Sequence, residues 1–367
     1  MLPSNKTIWN IAYPIMIGNL AQTLIALTDT AFLGRISEVA LGASSMAAIY
    51  YYVFSTLAWG FAVGVQVIIA RRFGEANYKR IGVIFEHGLY VVSLLGVFLF
   101  VLLKFLSADI LRLLISSDNV YHVAMQFINY RSLGIFFVCI NFLFRSLYIG
   151  VSNTKIITYT TLVMAVVNIL FNYLLIFGHW GFPNLGVQGA AIASVFAEVA
   201  ATIFFVVYTL KMFDNKKFTT FKHHKIEPLL FKRIFSVAIP TMMQKLISFG
   251  TWLIFFSFLE RMGERALASS MTVRSAYMMI AFPVFAFGAT SNTLVSRIIG
   301  EGNAKGVEAT IWRIFKLCCL TLIPLSLFAA FFPNLLLGIY TDSSELIVNT
   351  RHTKHCYRLI IRHIQSK

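Results

Sequence analysis

GRISEVALGASS (Gly34–Ser45) and ERMGERALASSM (Glu260–Met271) lie 226 positions apart, and at that one offset Arg35 meets Arg261, Glu38 meets Glu264, Ala40 meets Ala266 and Leu41 meets Leu267. The register holds on both sides without a gap. Upstream, Pro14 falls on Pro240; downstream, Phe61 falls on Phe287 and Gly74-Glu75-x-Asn77 falls on Gly300-Glu301-x-Asn303. Self-similarity at a fixed spacing means that one structural unit is built twice.

The sequence between these anchors says what the unit is made of. Apolar residues are 58% of the 367 positions and charged residues 13%, where soluble domains average about 45–50% and about 25%. A helix crosses a hydrocarbon core with about 20 mostly apolar residues. Nine runs qualify: Ile8–Leu33, Leu41–Ala70, Ile84–Leu106, Val123–Tyr148, Ile156–Phe177, Val187–Leu210, Ile234–Leu259, Ala266–Ile299 and Ile311–Leu336, with a weak tenth from Ile347. The fold class is therefore an all-α polytopic membrane protein.

Six runs precede the basic stretch Lys211–Arg233. Because six is even, both halves enter the bilayer from the same side, and the repeat is parallel, about an axis along the membrane normal. We expect residues 1–210 to form a six-helix lobe, 211–233 a linker, and 234–367 a shortened second lobe of three spans and a partial fourth. A complete second copy would reach about residue 440–450. The terminal RHTKHCYRLIIRHIQSK (Arg351–Lys367) puts basic residues opposite the apolar Ala124–Gly150, so a fragmentary or frameshifted tail is expected, with an interfacial terminus as the alternative.

Placement decides what the net charge of +16 means. The basic residues collect in short loops, at Arg71-Arg72, Lys79-Arg80, Lys155, Lys211 to Arg233 and Lys305, while Asp109–Asp118 and Gly178–Gly186 carry almost none. That is the positive-inside pattern with a cytoplasmic N-terminus, and it argues against nucleic acid as a partner. The linker is expected either to be a solvated loop or to form an amphipathic interfacial helix in its terminal part. The four cysteines show no metal-ligand spacing. MLPSNK, with one charge, does not resemble a cleaved signal.

Asp29 is the sharpest chemical signal, a carboxylate near the outer end of an apolar span. Such a group must pair, bind an ion or take a proton; its counterpart in the repeat is Phe255, so the site belongs to one lobe. Asn168 and Asn172, four apart, share a helical face, and Ser194 adds a hydroxyl one span later; interhelical packing is the plainer alternative for all three. Gln22, seven before Asp29, and Gln244, four beyond Pro240, are candidate cavity-lining residues. Glu198 is a weaker candidate, and Lys104, Arg131, Arg145 and Lys245 are expected to snorkel to an interface. Pro14, Pro240 and Pro283 lie inside spans and permit bends; Gly60/Gly64 and Gly186/Gly189 permit close helix approach. No GxxxxGK[ST], HExxH or GxSxG motif occurs, so ATP hydrolysis and hydrolytic chemistry have no visible home.

Pro14, DTAFLG (Asp29–Gly34), RRFGEAN (Arg71–Asn77) and NILFNYLLIFGHWGFPNLGVQGAAIAS (Asn168–Ser194) together resemble the multidrug and toxic compound extrusion (MATE) transporters over about residues 8–345. The resemblance implies two six-helix lobes around a V-shaped cavity. It also implies non-enzymatic antiport: organic cations or amphipathic drugs leave a multi-pass cell membrane, the inner membrane in a bacterium, in exchange for H+ or Na+. No cofactor is implied, and no metal beyond a sodium ion. Besides the transported compound, membrane lipid is the partner, and a monomer is expected. Carried over residue by residue, Asp29 stands at the family's first-span carboxylate and Asn168 at its fifth-span asparagine. Asn172 stands where many members have aspartate, and Ser194 where many have threonine. Ser248 occupies the neighbourhood of a seventh-span glutamate found in one branch, so the chain looks closest to the branch coupled through its N-terminal lobe. A lipid-linked precursor flippase, with a more basic cavity, and a non-transporting scaffold or fragment are the alternatives.

Overall fold

A computed structural model describes residues 2–222, 224–261 and 264–331. The tail from Arg351, the weak tenth span at Ile347 and the partial fourth span of the second lobe lie outside the described residues.

Within them the chain is helical throughout: α1 (Asn5–Gly34), α2 (Glu38–Gly74), α3 (Tyr78–Phe105), α4 (Ser107–Leu114), α5 (Asp118–Arg131), α6 (Ile135–Gly150), α7 (Lys155–Phe177), α8 (Val187–Lys211), α9 (Asn215–Phe218), α10 (Pro228–Arg261), α11 (Glu264–Gly300) and α12 (Val307–Phe331). The nine expected spans fall on helices as far as the described residues run, the fourth being divided between α5 and α6. Among the described residues, eight helices are long and apolar enough to cross a membrane by length and composition.

Local signals set the helix ends. Ser4 and Ser37 cap α1 and α2 by accepting the N–H groups of Thr7 and Ala40 at 3.2 and 3.0 Å, and Gly178, left-handed at φ 73°, ends α7. Helices α1, α10 and α11 each contain a proline, at Pro14, Pro240 and Pro283. Pro14 has no N–H to offer the carbonyl of Asn10; the Thr154 hydroxyl donates to it instead, at 3.2 Å.

The repeat is visible in three dimensions as reciprocal contacts. A Cβ on Gly74 would stand 2.1 Å from the carbonyl oxygen of Arg297, and a Cβ on Gly300 would stand 2.2 Å from that of Arg71. Gly74 and Gly300 are repeat partners, and so are Arg71 and Arg297, so the two contacts are related by a pseudo-two-fold axis running between the lobes. Each arginine also pairs with the glutamate four residues on, Arg71 with Glu75 at 3.3 Å and Arg297 with Glu301 at 3.0 Å. Deeper in the seam, Gly60 and Gly64 of α2 lie against the backbone of Met242 and Ala238. The buried Gln66 donates across to the Ala289 carbonyl at 3.0 Å and the Thr293 hydroxyl at 2.9 Å.

The linker is not a solvated loop: its terminal part, from Pro228, is the start of α10, and the rest is held against α3. Glu86, buried in the first turns of α3, accepts the backbone N–H groups of Lys222 and His224 at 2.7 and 2.9 Å and lies 2.8 Å from the His224 ring. His87 is fully buried. Its Nδ1 donates to the Val83 carbonyl at 2.8 Å, which leaves Nε2 to accept the Glu227 N–H at 2.9 Å. Phe213 and Phe218 are buried and stack on each other. The basic stretch is thus a strap tied down on the N-terminal lobe.

Candidate functional site

Three helices assemble the site. Helix α1 carries Asp29 one turn before its end, α7 carries Asn168 and Asn172 on the face turned toward α1 and α8, and α8 carries Ser194. Tight packing of α1 on α7 is allowed by Gly18, where an added Cβ would stand 3.2 Å from Ile157 and 3.4 Å from Thr161.

The four expected residues form one hydrogen-bonded chain. Asn172 Nδ2 donates to Asp29 Oδ1 at 2.5 Å and to Asn168 Oδ1 at 3.0 Å. Asn168 Nδ2 reaches Ser194 Oγ at 3.5 Å. Both asparagines are almost fully buried, at 1% and 0% exposed. With both Asn172 hydrogens spent, its Oδ1 is buried and has no hydrogen-bond partner. An unsatisfied buried acceptor costs about 1–3 kcal/mol, so the arrangement favours a ligand that brings positive charge or a proton. The oxygens of Asp29, Asn168, Asn172 and Ser194 are hard donors, suited to H+ or Na+ rather than to a soft transition metal. Among the described residues no three His, Cys, Asp or Glu side chains gather.

Beside this chain lies an ion pair that span-by-span reasoning missed. Arg131, expected to snorkel, instead lays its guanidinium fork on Glu198: Nη1 meets Oε2 at 2.8 Å, and Nη2 makes a still shorter contact with Oε1. The guanidinium carbon lies 4.0 Å from the centre of the Tyr51 ring, and the charges of Arg131 and Asp29 attract. A single 3-10 turn, Ser132–Gly134, interrupts the fourth span here. A Cβ on Gly134 would stand 2.3 Å from both Arg131 Nη1 and Glu198 Oε2, so a larger residue there would displace the paired side chains. The signal was available: two opposite charges inside apolar spans are each other's obvious partners.

The remaining expectations divide. Lys104 is exposed, near Asn129 at 3.4 Å, as snorkelling requires. Arg145 is not: its Nη2 is 3.3 Å from Asn19 Oδ1, and the Lys245 ammonium sits 4.1 Å above the Trp59 ring. Gln22 and Gln244 are exposed, and neither side chain joins the Asp29 chain among the described residues. Ser248 bonds its own helix, at the Gln244 carbonyl, 2.8 Å away. Phe255, opposite Asp29 in the repeat, is exposed and apolar.

Comparison with known proteins agrees with this fold. The probable multidrug resistance protein NorM of Synechocystis sp. is 23% identical over 336 residues, 91% of this chain and 73% of its own length. The probable multidrug resistance protein YoeA of Bacillus subtilis is 24% identical over 319 residues, 84% of this chain and 68% of its own. An outward-facing multidrug resistance MATE family transporter of the MOP superfamily superposes with a TM-score of 0.84 at 19% identity, covering 94% of this chain and 76% of the other. The MatE family pattern matches residues 14–174 and 240–357, which takes in both copies of the repeat, and the chain belongs to the MatE family.

Proposed function

We propose that this chain is an ion-coupled antiporter in which Asp29, Asn172, Asn168 and Ser194 take up the driving ion, with the N-terminus cytoplasmic and an amphipathic compound as the exported solute. Family membership makes it a multi-pass secondary transporter and not an enzyme. The observation that carries the assignment is the hydrogen-bonded chain from Asp29 to Ser194 with the Asn172 Oδ1 left unpartnered. Binding H+ or Na+ neutralises Asp29 and gives that oxygen a partner, so the ion has a reason to prefer one packing of α1 on α7. An ion that prefers one of two global packings shifts the balance between them, which is the requirement for exchange by alternating access.

The test is thermal stability of the purified chain across sodium concentration and pH. Sodium bound at this site should raise the melting temperature with log concentration at pH 8; proton coupling should make it depend on pH instead, since a ligand that binds only the folded state stabilises it by RT ln(1 + [L]/Kd). Either response should vanish in Asp29→Asn. An identical response in that variant would place the ion elsewhere.

One observation favours a second reading, movement of a lipid-linked precursor: Arg145 and Lys245 make the seam between the lobes basic.

A further inference from the structure

Trp59 and Phe285 are counterparts in the 226-residue repeat, and their ring centres lie 6.5 Å apart. A pair of repeat partners that close marks the pseudo-two-fold axis, so the rings around them stand at the seam between the lobes. Phe142 of α6 stacks on Trp59 at 6.2 Å, and Phe249 of α10 touches both Trp59 and Tyr52, at 6.0 and 5.0 Å. This is an aromatic wall built from both halves of the molecule.

Two basic residues accompany it, one from each half of the molecule. Lys245 Nζ is 4.1 Å from the centre of the Trp59 ring. Arg145 lies one turn beyond Phe142 on α6 and holds Asn19, which is the repeat counterpart of Lys245. Both side chains are partly shielded from solvent. Among the described residues neither lies within ion-pair distance of a carboxylate, whereas Arg131, on the same lobe, has Glu198. Intramembrane charges without a carboxylate partner are by default candidates for a functional site.

The geometry points to an amphipathic anion as the transported compound. Its carboxylate or phosphate would be held by the Arg145 fork and the Lys245 ammonium, and its apolar or planar body would lie on the wall of Tyr52, Trp59, Phe142, Phe249 and Phe285. An organic cation is disfavoured twice over. It meets two like charges, and the ring face on which it would stack is already occupied by Lys245. This inference rests on the antiport reading and narrows its substrate. The anionic group is the same whether it belongs to a free solute or to a lipid headgroup.

The experiment uses the full chain in phosphatidylcholine nanodiscs, with fluorescein as the anionic probe and rhodamine 6G as a cationic relative of similar size, read by fluorescence polarisation. Fluorescein should bind at least about tenfold more tightly than rhodamine 6G. Lys245→Gln and Arg145→Gln should each weaken fluorescein at least about tenfold, Lys245→Arg should restore it, and Lys245→Gln should improve rhodamine 6G. A lipid source is read in vesicles by movement of fluorescently labelled phosphatidylglycerol between leaflets, which should require the same two residues. If neither fluorescein binding nor lipid movement depends on Lys245 and Arg145, the inference is overturned. Gradient-driven rhodamine 6G flux that needs Asp29 but ignores both cations overturns it as well, while sparing the antiport reading. Anion binding that needs both cations, with gradient-driven flux unchanged in Asp29→Asn, upholds it and removes the coupling assignment instead.

Discussion

At the scale of single residues, Asn172 matters as much as Asp29. Its amide donates to both Asp29 and Asn168, and an amide can donate where a carboxylate can only accept. Asn172→Asp would place a second carboxylate within hydrogen-bond distance of Asp29, and two such groups cannot both ionise without a shared proton or cation. The variant should therefore depend more steeply on sodium or on low pH than the parent, seen as a larger sodium- or acid-induced rise in melting temperature; an unchanged dependence would show that Asn172 does not face the ion. Arg131→Ala leaves Glu198 buried without its cation, a loss of about 3–5 kcal/mol in chemical denaturation. Removing both partners should cost less than the two single changes added together, the signature of direct coupling. Asp29 and its three partners were legible in the sequence because a carboxylate and an i, i+4 asparagine pair stand out in apolar spans. The charges of Arg131 and Glu198 were equally visible, but that these two meet is fixed by the packing of α5 on α8.

At the scale of elements, the helix positions follow from hydropathy, but the strap does not. Its hold on α3 depends on Glu86 and His87 meeting the backbone of Lys222, His224 and Glu227 far along the chain, and no local pattern encodes such a meeting. Glu86→Ala should release the linker and speed its cleavage in limited proteolysis, while leaving the helical circular dichroism signal intact. Arg80 bonds Glu227 at 2.6 Å and holds that carboxylate below its ordinary range. A lowered native pKa stabilises above the unfolded-state value, so this contact is fully present at neutral pH and is lost as the pH falls through the native pKa. Both side chains are more than a third exposed, and the pair contributes at most about 1 kcal/mol. The seam glycines are stricter: Gly74→Ala or Gly300→Ala forces a methyl into a facing carbonyl and should destabilise by about 1–3 kcal/mol in thermal unfolding.

At the scale of the whole molecule, the repeat foretold the parallel arrangement of the halves, and the reciprocal Gly74–Arg297 and Gly300–Arg71 contacts are its physical form. The two copies have diverged in chemistry while keeping their packing. Asp29 faces Phe255 across the repeat and Asn19 faces Lys245, so the ion site belongs to one lobe while the basic seam draws on both. In the proposed mechanism the driving ion and the exported solute would bind in separate places, which makes Asp29 the point on which the account stands. The most direct test is accumulation of a fluorescent amphipathic dye by proteoliposomes containing this 367-residue chain, under an imposed proton gradient and, separately, a sodium gradient. The account predicts accumulation driven by one of the two gradients in the parent protein and only passive equilibration in Asp29→Asn. Equal, gradient-driven accumulation by both proteins would contradict it.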